Sequence, residues 1–214
     1  MEEKETVREP YRMVLEGGQA ELVEKKSRFI ANVRPVESEA EAVAFIDEMK
    51  KKYWDARHNC SAFVIGTKAE LTRCSDDGEP SGTAGRPMLE VLLGEGVRNV
   101  AVVVTRYFGG VLLGTGGLVR AYTTATARAL ENAEVVTVRS VVELSVTVDY
   151  SLYERASLLI DAAGAKQAAP QFTDRVTLCW QMSEHTEGPL LEQLRELTRG
   201  SAQVTVSDPF YAPF

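Results

Sequence analysis

The chain has 214 residues, with 24 basic and 31 acidic side chains, a formal net charge of −7, 44% hydrophobic residues and three cysteines. That length allows one large or two small domains, and the acidic balance argues against a general nucleic-acid coat. No apolar run approaches the length of a transmembrane helix, the cysteines show no CxxC spacing, and MEEKETVREPYR carries no hydrophobic signal segment, so the expectation is a cytoplasmic protein with free thiols and no membrane.

Residues 1–9 form a charged lead-in. Tyr11–Leu15 and Ala20–Glu24 flank Gly17-Gly18 and predict a hairpin. The basic cluster Lys25-Lys26-Ser27-Arg28 reads as a solvated turn that could also touch phosphate, and Phe29–Val33 is the next strand. Ser38 followed by Glu41 is a capping box, and Val43, Ile46, Met49 and Tyr53 repeat at helical spacing, so 39–53 is a helix. Arg57 and His58 lie in a polar step into the strand Cys60–Ile65. A lone histidine is most often structural, and beside Arg57 it is not placed as the base for a nucleophile.

Residues 67–85 read as one long polar loop, a length that points to function or mobility. Asp76, Asp77 and Glu79 raise the idea of a divalent cation. With no histidine at ligand spacing and no EF-hand pattern, no metal is expected; the acids are expected to hold Arg86, Arg106 or Arg120. Ser81 and Thr83 offer hydroxyls to a ligand, and Gly82 and Gly85 permit close backbone approach. Arg86-Pro87 opens a helix to Leu93, with proline in its first turn, and Gly94 and Gly96 end it.

The central stretch is NVAVVVTRYFGGVLLGTGGLVRAYTTATAR. Val100–Val104 is a β-branched apolar run and predicts a buried strand. Gly109, Gly110, Gly114, Gly116 and Gly117 follow within nine residues. Leu118, Ala121, Tyr122, Ala125 and Ala129 then fall on one helical stripe. Strand, glycine loop and helix place free amides at a helix N-terminus, which favours an anion. No acidic residue lies strictly between Glu95 and Glu131, while Arg98, Arg106, Arg120 and Arg128 do. One reading is a phosphate site, on nucleic acid or on a small molecule. The other is tight strand–helix packing, with the arginines paired elsewhere.

VVVTRYFGG and LGTGGLVRAY, with DDGEPSGTAGRPMLEVL upstream, resemble the YigZ/IMPACT family, in its bacterial YigZ branch, over roughly residues 10–140. The resemblance implies an α+β protein of two domains. The first, 1–139, would be the α/β domain shared by a ribosomal protein, an elongation-factor domain and GHMP kinases. The second, 140–214, would be ferredoxin-like. The eukaryotic relatives act in translational control through a ribosome-associated activator, and nucleic-acid binding is implied for the bacterial ones.

The boundary is expected near Arg139-Ser140. Beyond it, strand (Val142–Val148), helix (Ser151–Ala163), strand (Lys166–Phe172), strand (Arg175–Met182), helix (Pro189–Thr198) and strand (Gln203–Val206) give a βαββαβ order. Cys179 and Trp180 are expected in its core. From Val141 on there are five basic and ten acidic residues, and no aromatic-rich strand of the kind that stacks bases, so a protein-contact role fits this half better. P-loop, GxGxxG, GxSxG and HExxH patterns are absent, and no cofactor is expected. The reading is a non-catalytic binding protein linked to translation, with RNA or a ribosome-associated protein as partner. Its candidate contacts are Arg57, His58, Ser81, Thr83, Arg86, Arg106, Gly109, Gly110, Gly114, Gly116, Gly117 and Arg120. An enzyme or nucleotide-binding protein for a phosphorylated small molecule, and a protein–protein adaptor, are the alternatives.

Overall fold

Val100–Tyr107 is the strand on which the first half is built: Val100 to Arg106 are all buried. Val100, Val102 and Val104 enter one core, while Ala101 and Val103 enter another, as the two-residue period of a strand requires. The structure, a computed structural model, describes residues 9–214; residues 1–8 of the charged lead-in lie outside the described residues. The chain divides into two units, Tyr11–Thr137 and one that holds Val138–Phe214. Both mix helices with antiparallel sheet, so the class is α+β. Among the described residues no helix is long and apolar enough to cross a membrane.

The first unit runs β1 (Tyr11–Glu16), β2 (Gln19–Glu24), β3 (Ser27–Pro35), α1 (Glu39–Lys52), β4 (His58–Ile65), β5 (Leu71–Ser75), α2 (Gly85–Gly94), β6 (Val97–Arg98), β7 (Val100–Tyr107) and α3 (Thr115–Glu131). Five strands form a sheet in the order β2-β3-β7-β4-β5, antiparallel throughout. One face packs on α2 and α3 through Met88, Leu92, Leu118, Tyr122 and Ala125. The other packs on α1 through Ala42, Phe45 and Met49. Helices on both faces explain why β7 is apolar without alternation.

Three local expectations are corrected here. β1 and β2 do not form a hairpin: β2 pairs with β3, and β1 runs parallel to β6. A Cβ on Gly17 would stand 2.3 Å from the Val33 carbonyl oxygen, and one on Gly18 would stand 2.2 Å from that of Ala129. The glycines allow close passage rather than a turn. The true hairpin is β2–β3, whose two-residue turn is Lys25-Lys26 at φ 43° and 69°. The polar stretch 67–85 contains β5, an edge strand that is almost wholly exposed. The buried stripe of α1 is Ala42, Phe45 and Met49: Met49 is buried as expected, but Val43 is exposed and Ile46 only partly buried, with Ala42 and Phe45 in their place.

β8 (Glu134–Val148) merges two expected strands, and the division of the chain falls inside its length. After it come α4 (Tyr150–Ala162), β9 (Lys166–Gln167), β10 (Gln171–Phe172), β11 (Val176–Ser183), α5 (Gly188–Leu197), β12 (Val204–Val206) and β13 (Phe210–Pro213). The expected strand 166–172 is broken around Pro170, which has no N–H to give a ladder. Both β9 and β10 pair with β11, and β11, β12 and β13 pair with β8. Val142, Leu144, Val146, Leu178, Trp180 and Met182 meet Ala156, Ile160, Leu190 and Leu194 of the two helices in one core. Trp180 is buried as expected. Cys179 points to the opposite face and is only half-buried, because it is out of phase with its two buried neighbours.

Candidate functional site

The segment between β7 and α3 is shaped by two different uses of glycine. Gly109 lies against the Lys25-Lys26 turn: a Cβ there would be 2.0 Å from the Lys26 carbonyl carbon and oxygen, and its N–H donates to Ser27 Oγ at 3.2 Å. Gly109→Ala is therefore expected to cost about 1–3 kcal/mol by overpacking, read as a lower urea midpoint; an unchanged midpoint would show that the turn yields freely. Gly114 instead sits at φ 72° with open space around it and caps α3, whose N-terminus has no side-chain cap and no acidic residue in its first turn. The amides of residues 115–117 are left without helical partners, and the helix dipole adds positive potential there.

Two cavities flank this turn, and both touch Leu113. The first, about 430 Å³, is lined by Arg57, His58, Glu79, Arg106, Phe108, Leu112, Gly114 and Thr115, among others. The second, about 470 Å³, lies between the β2–β3 hairpin and α3 and is lined by Lys25, Gly117, Arg120, Thr124 and Arg128, with Glu24 as its one acid. Among the described residues Lys25, Arg57, Arg120 and Arg128 have no ion-pair partner.

Arg106 is different. Its side chain is only 7% exposed and donates from Nη1 to Glu79 Oε1 at 2.7 Å, while the Glu79 side chain is 3% exposed. Tyr122 Oη donates to the same oxygen at 2.9 Å, and Cys60 Sγ lies 3.3 Å from Tyr122 Oη and 3.0 Å from the Asp76 carbonyl. The guanidinium also lies 5.5 Å from the Phe29 ring centroid and 5.6 Å from that of Phe108. Arg106 is thus a neutralised wall of the first cavity, not a free cation.

The other acidic residues organise backbone. Asp76 accepts from the amides of Gly82, Ala84 and Gly85 at 2.8–3.0 Å. Asp77 accepts from Lys50 and from the Asn59 amide, and its carbonyl meets His58 Nδ1 at 3.0 Å. Burial raises the Asp76 carboxyl, but those three backbone donors outweigh it and hold the group below its ordinary 3.8. That contribution is present above about pH 4 and is lost in acid. Among the described residues no group of three or more His, Cys, Asp or Glu is arranged to hold a metal ion.

Burial pushes the Cys60 thiol up from 9.0 to about 12; its hydrogen bond with Tyr122 opposes the rise, and the carboxylates of Glu79, Asp77 and Asp76 add to it. Burial likewise raises the Tyr122 hydroxyl, with Cys60 and Glu79 reinforcing the rise. Both groups favour the protonated form in the folded state. Their contribution is complete below about pH 9 and falls away as pH climbs from 9 toward 12. A thiol reagent near neutral pH is expected to modify exposed Cys74 and spare Cys60, with thermal stability dropping on the alkaline side. Equal labelling of both cysteines would contradict this.

The structure therefore brings Arg57, His58, Glu79, Arg106 and Gly114 to one cavity, and Gly117 and Arg120 to the other. Ser81, Thr83, Arg86, Gly109, Gly110, Gly116, Asp76 and Asp77 line neither. Thr83 Oγ1 donates to the Pro80 carbonyl, and Arg86 pairs with Glu90 along α2. Lys25 and Arg128 belong to the basic groove but were not in the candidate set. Their signals are the basic cluster at 25–28 and the run between Glu95 and Glu131 that holds arginines and no acid.

Comparison with known proteins covers most of the chain. The Impact N-terminal domain family matches residues 25–130, and a domain of unknown function, DUF1949, matches residues 146–201. IMPACT family member YvyE of Bacillus subtilis is 37% identical over 94% of this chain and 93% of its own length. IMPACT family member YigZ of Escherichia coli is 35% identical over 84% of this chain and 89% of its own. A crystal structure of a hypothetical protein matches with 32% identity and a TM-score of 0.59, covering 94% of this chain and 98% of that one.

Proposed function

This chain belongs to the IMPACT family, and from that premise we propose that its first unit is a non-catalytic, translation-linked surface that binds RNA phosphate. The observation that carries the reading is the groove that runs along α3 from Gly117 to Arg128. Lys25, Arg120 and Arg128 converge there without ion-pair partners, against one acid, in a chain of net charge −7. Unpaired cations along one groove, with Gly117 of the first turn of α3 at its end, are the chemistry of phosphate binding. Arg86, paired with Glu90, does not line the groove, and Arg106 belongs to the first cavity.

The layering of α1, the five-stranded sheet, and α2 with α3 supports a ribosomal-protein-like first domain over 1–139. Two helices on one face of an antiparallel sheet support a ferredoxin-like second domain over 140–214. Three free cysteines fit a reducing cytoplasm. The first cavity, with its apolar wall, keeps a small phosphorylated ligand as the second reading.

Co-sedimentation with ribosomes from a bacterial lysate tests the proposal, at low and at moderate salt. Wild type is expected to travel with a ribosomal peak at low salt, and the Arg120→Glu, Arg128→Glu variant to stay at the top. Both residues are solvent-accessible and unpaired, so the variant is expected to fold. Wild type remaining at the top at both salts would overturn the proposal.

A further inference from the structure

The first cavity is not explained by phosphate binding. Its wall is largely apolar, formed by Phe108, Leu112, Leu113 and Leu118 against Pro80. Phe108 is 53% exposed and Leu112 is 83% exposed, a cost that a surface without a partner does not need to carry. Arg106 lines the same cavity. Its Nε is buried and has no hydrogen-bond partner, although the rest of the guanidinium is committed to Glu79 and Ser27. A buried donor left without an acceptor is costly unless something supplies one. Negative charge is favoured at the cavity's other end, where Gly114 and Thr115 open α3 and Arg57 stands unpaired. A volume of about 430 Å³ lies within the range of small-molecule sites, roughly 300–1,000 Å³.

An apolar wall with an exposed aromatic ring and an anion-favouring rim within one cavity suit a nucleotide: flat base and phosphate. We propose that this cavity receives one unstacked nucleotide of single-stranded RNA, the base lying on Phe108 and Leu112 against the wall that Arg106 helps to form, its phosphate at the α3 amides beside Arg57. This rests on the RNA-phosphate reading and extends it: the groove past Gly117 holds the neighbouring phosphates, and the cavity selects unpaired strand. The second cavity shares Leu113 with the first, so the backbone of a strand can pass from one to the other over a single helical turn. A duplex keeps its bases stacked inside and cannot fill the cavity. The exposed ring of Trp54, three residues before Arg57, is a further stacking surface. Its turn is tied to the end of β7 by the bond from Tyr107 Oη to Asp55 at 2.8 Å.

The test is fluorescence anisotropy on the full chain with labelled oligouridine, with the same strand paired to oligoadenosine, and with UMP as a competitor. The comparison variant is Phe108→Ala with Leu112→Ala, at two exposed positions where folding is not at stake. Wild type is expected to prefer the single strand, and the variant to lose that preference by roughly tenfold or more while duplex binding and its salt dependence stay as in wild type. Equal affinity of wild type for both strands, or an unchanged variant, would overturn the base pocket and leave the phosphate groove standing. A UMP-dependent rise in melting temperature with no oligonucleotide binding would keep a nucleotide in the cavity and overturn both the RNA strand and the groove. No binding of any of the three probes would overturn both proposals.

Discussion

Glu79→Ala is expected to lower the stability of the first unit by about 3–5 kcal/mol, the cost of leaving a buried charge without its partner. Arg106 and Glu79 are both almost fully buried and meet at 2.7 Å, so the variant would strand the guanidinium beneath Phe108. It would also leave the Tyr122 hydroxyl without its acceptor. Against a total stability of about 5–15 kcal/mol, this is a large fraction, read as a fall in both the urea midpoint and the melting temperature. Replacing both partners by apolar residues, Glu79→Leu with Arg106→Met, is expected to recover most of the loss, because burying the pair consumes much of what its attraction returns. That comparison separates stability from function. If the double variant is stable and fails to bind RNA, the pair is present for the cavity it lines. A loss below about 1 kcal/mol for Glu79→Ala would show that water reaches the pair.

Gly116→Asp is expected to move stability and binding in opposite directions. Gly116 is the second residue of α3, is exposed, is not at positive φ, and has open space where a Cβ would stand. An acidic side chain in the first helical turn interacts favourably with the dipole, by about 0.3–1 kcal/mol, and replacing a helical glycine adds a similar amount. The melting temperature should therefore rise slightly. The same carboxylate puts a negative charge in the helical turn whose amides would hold the phosphate, so affinity for RNA should fall by about tenfold, and Gly116→Ala should restore it. A variant with unchanged affinity would move the anion away from this helix end.

How much of this was legible in the sequence depended on range. The α3 stripe of Leu118, Ala121, Tyr122, Ala125 and Ala129 is buried throughout, because a local period of 3.6 is written in consecutive residues. In α1 the same rule was ambiguous: Ala42 and Phe45 compete with Val43 and Ile46, and a small alanine weighs little beside valine although it lies in the core. Gly17-Gly18 misled because glycine answers two needs, positive φ and close approach, and only the neighbours Val33 and Ala129 decide between them. β5 was hidden because an exposed edge strand needs no apolar face.

The site shows the same division. The glycine loop leading into a helix could be read directly, as could the run of cations free of acids. The partners could not. Arg106 and Glu79 are 27 residues apart, and nothing local in either stretch says that this arginine would be buried and neutralised while Arg120 stays free. Lys25 joins the groove only through the β2–β3 pairing, which the expected hairpin displaced.

The central claim is that the groove of Lys25, Arg120 and Arg128 binds phosphate. The most direct test is the dependence of RNA affinity on salt, measured by anisotropy for wild type and for the Lys25→Ala, Arg120→Ala, Arg128→Ala variant. Each phosphate neutralised releases counterions from a single strand, contributing about 0.7 to the slope of log K against log salt. Loss of three contacts should therefore flatten that slope by about 2 and weaken binding at low salt. A variant that keeps the wild-type slope and affinity would show that the groove does not hold the RNA backbone.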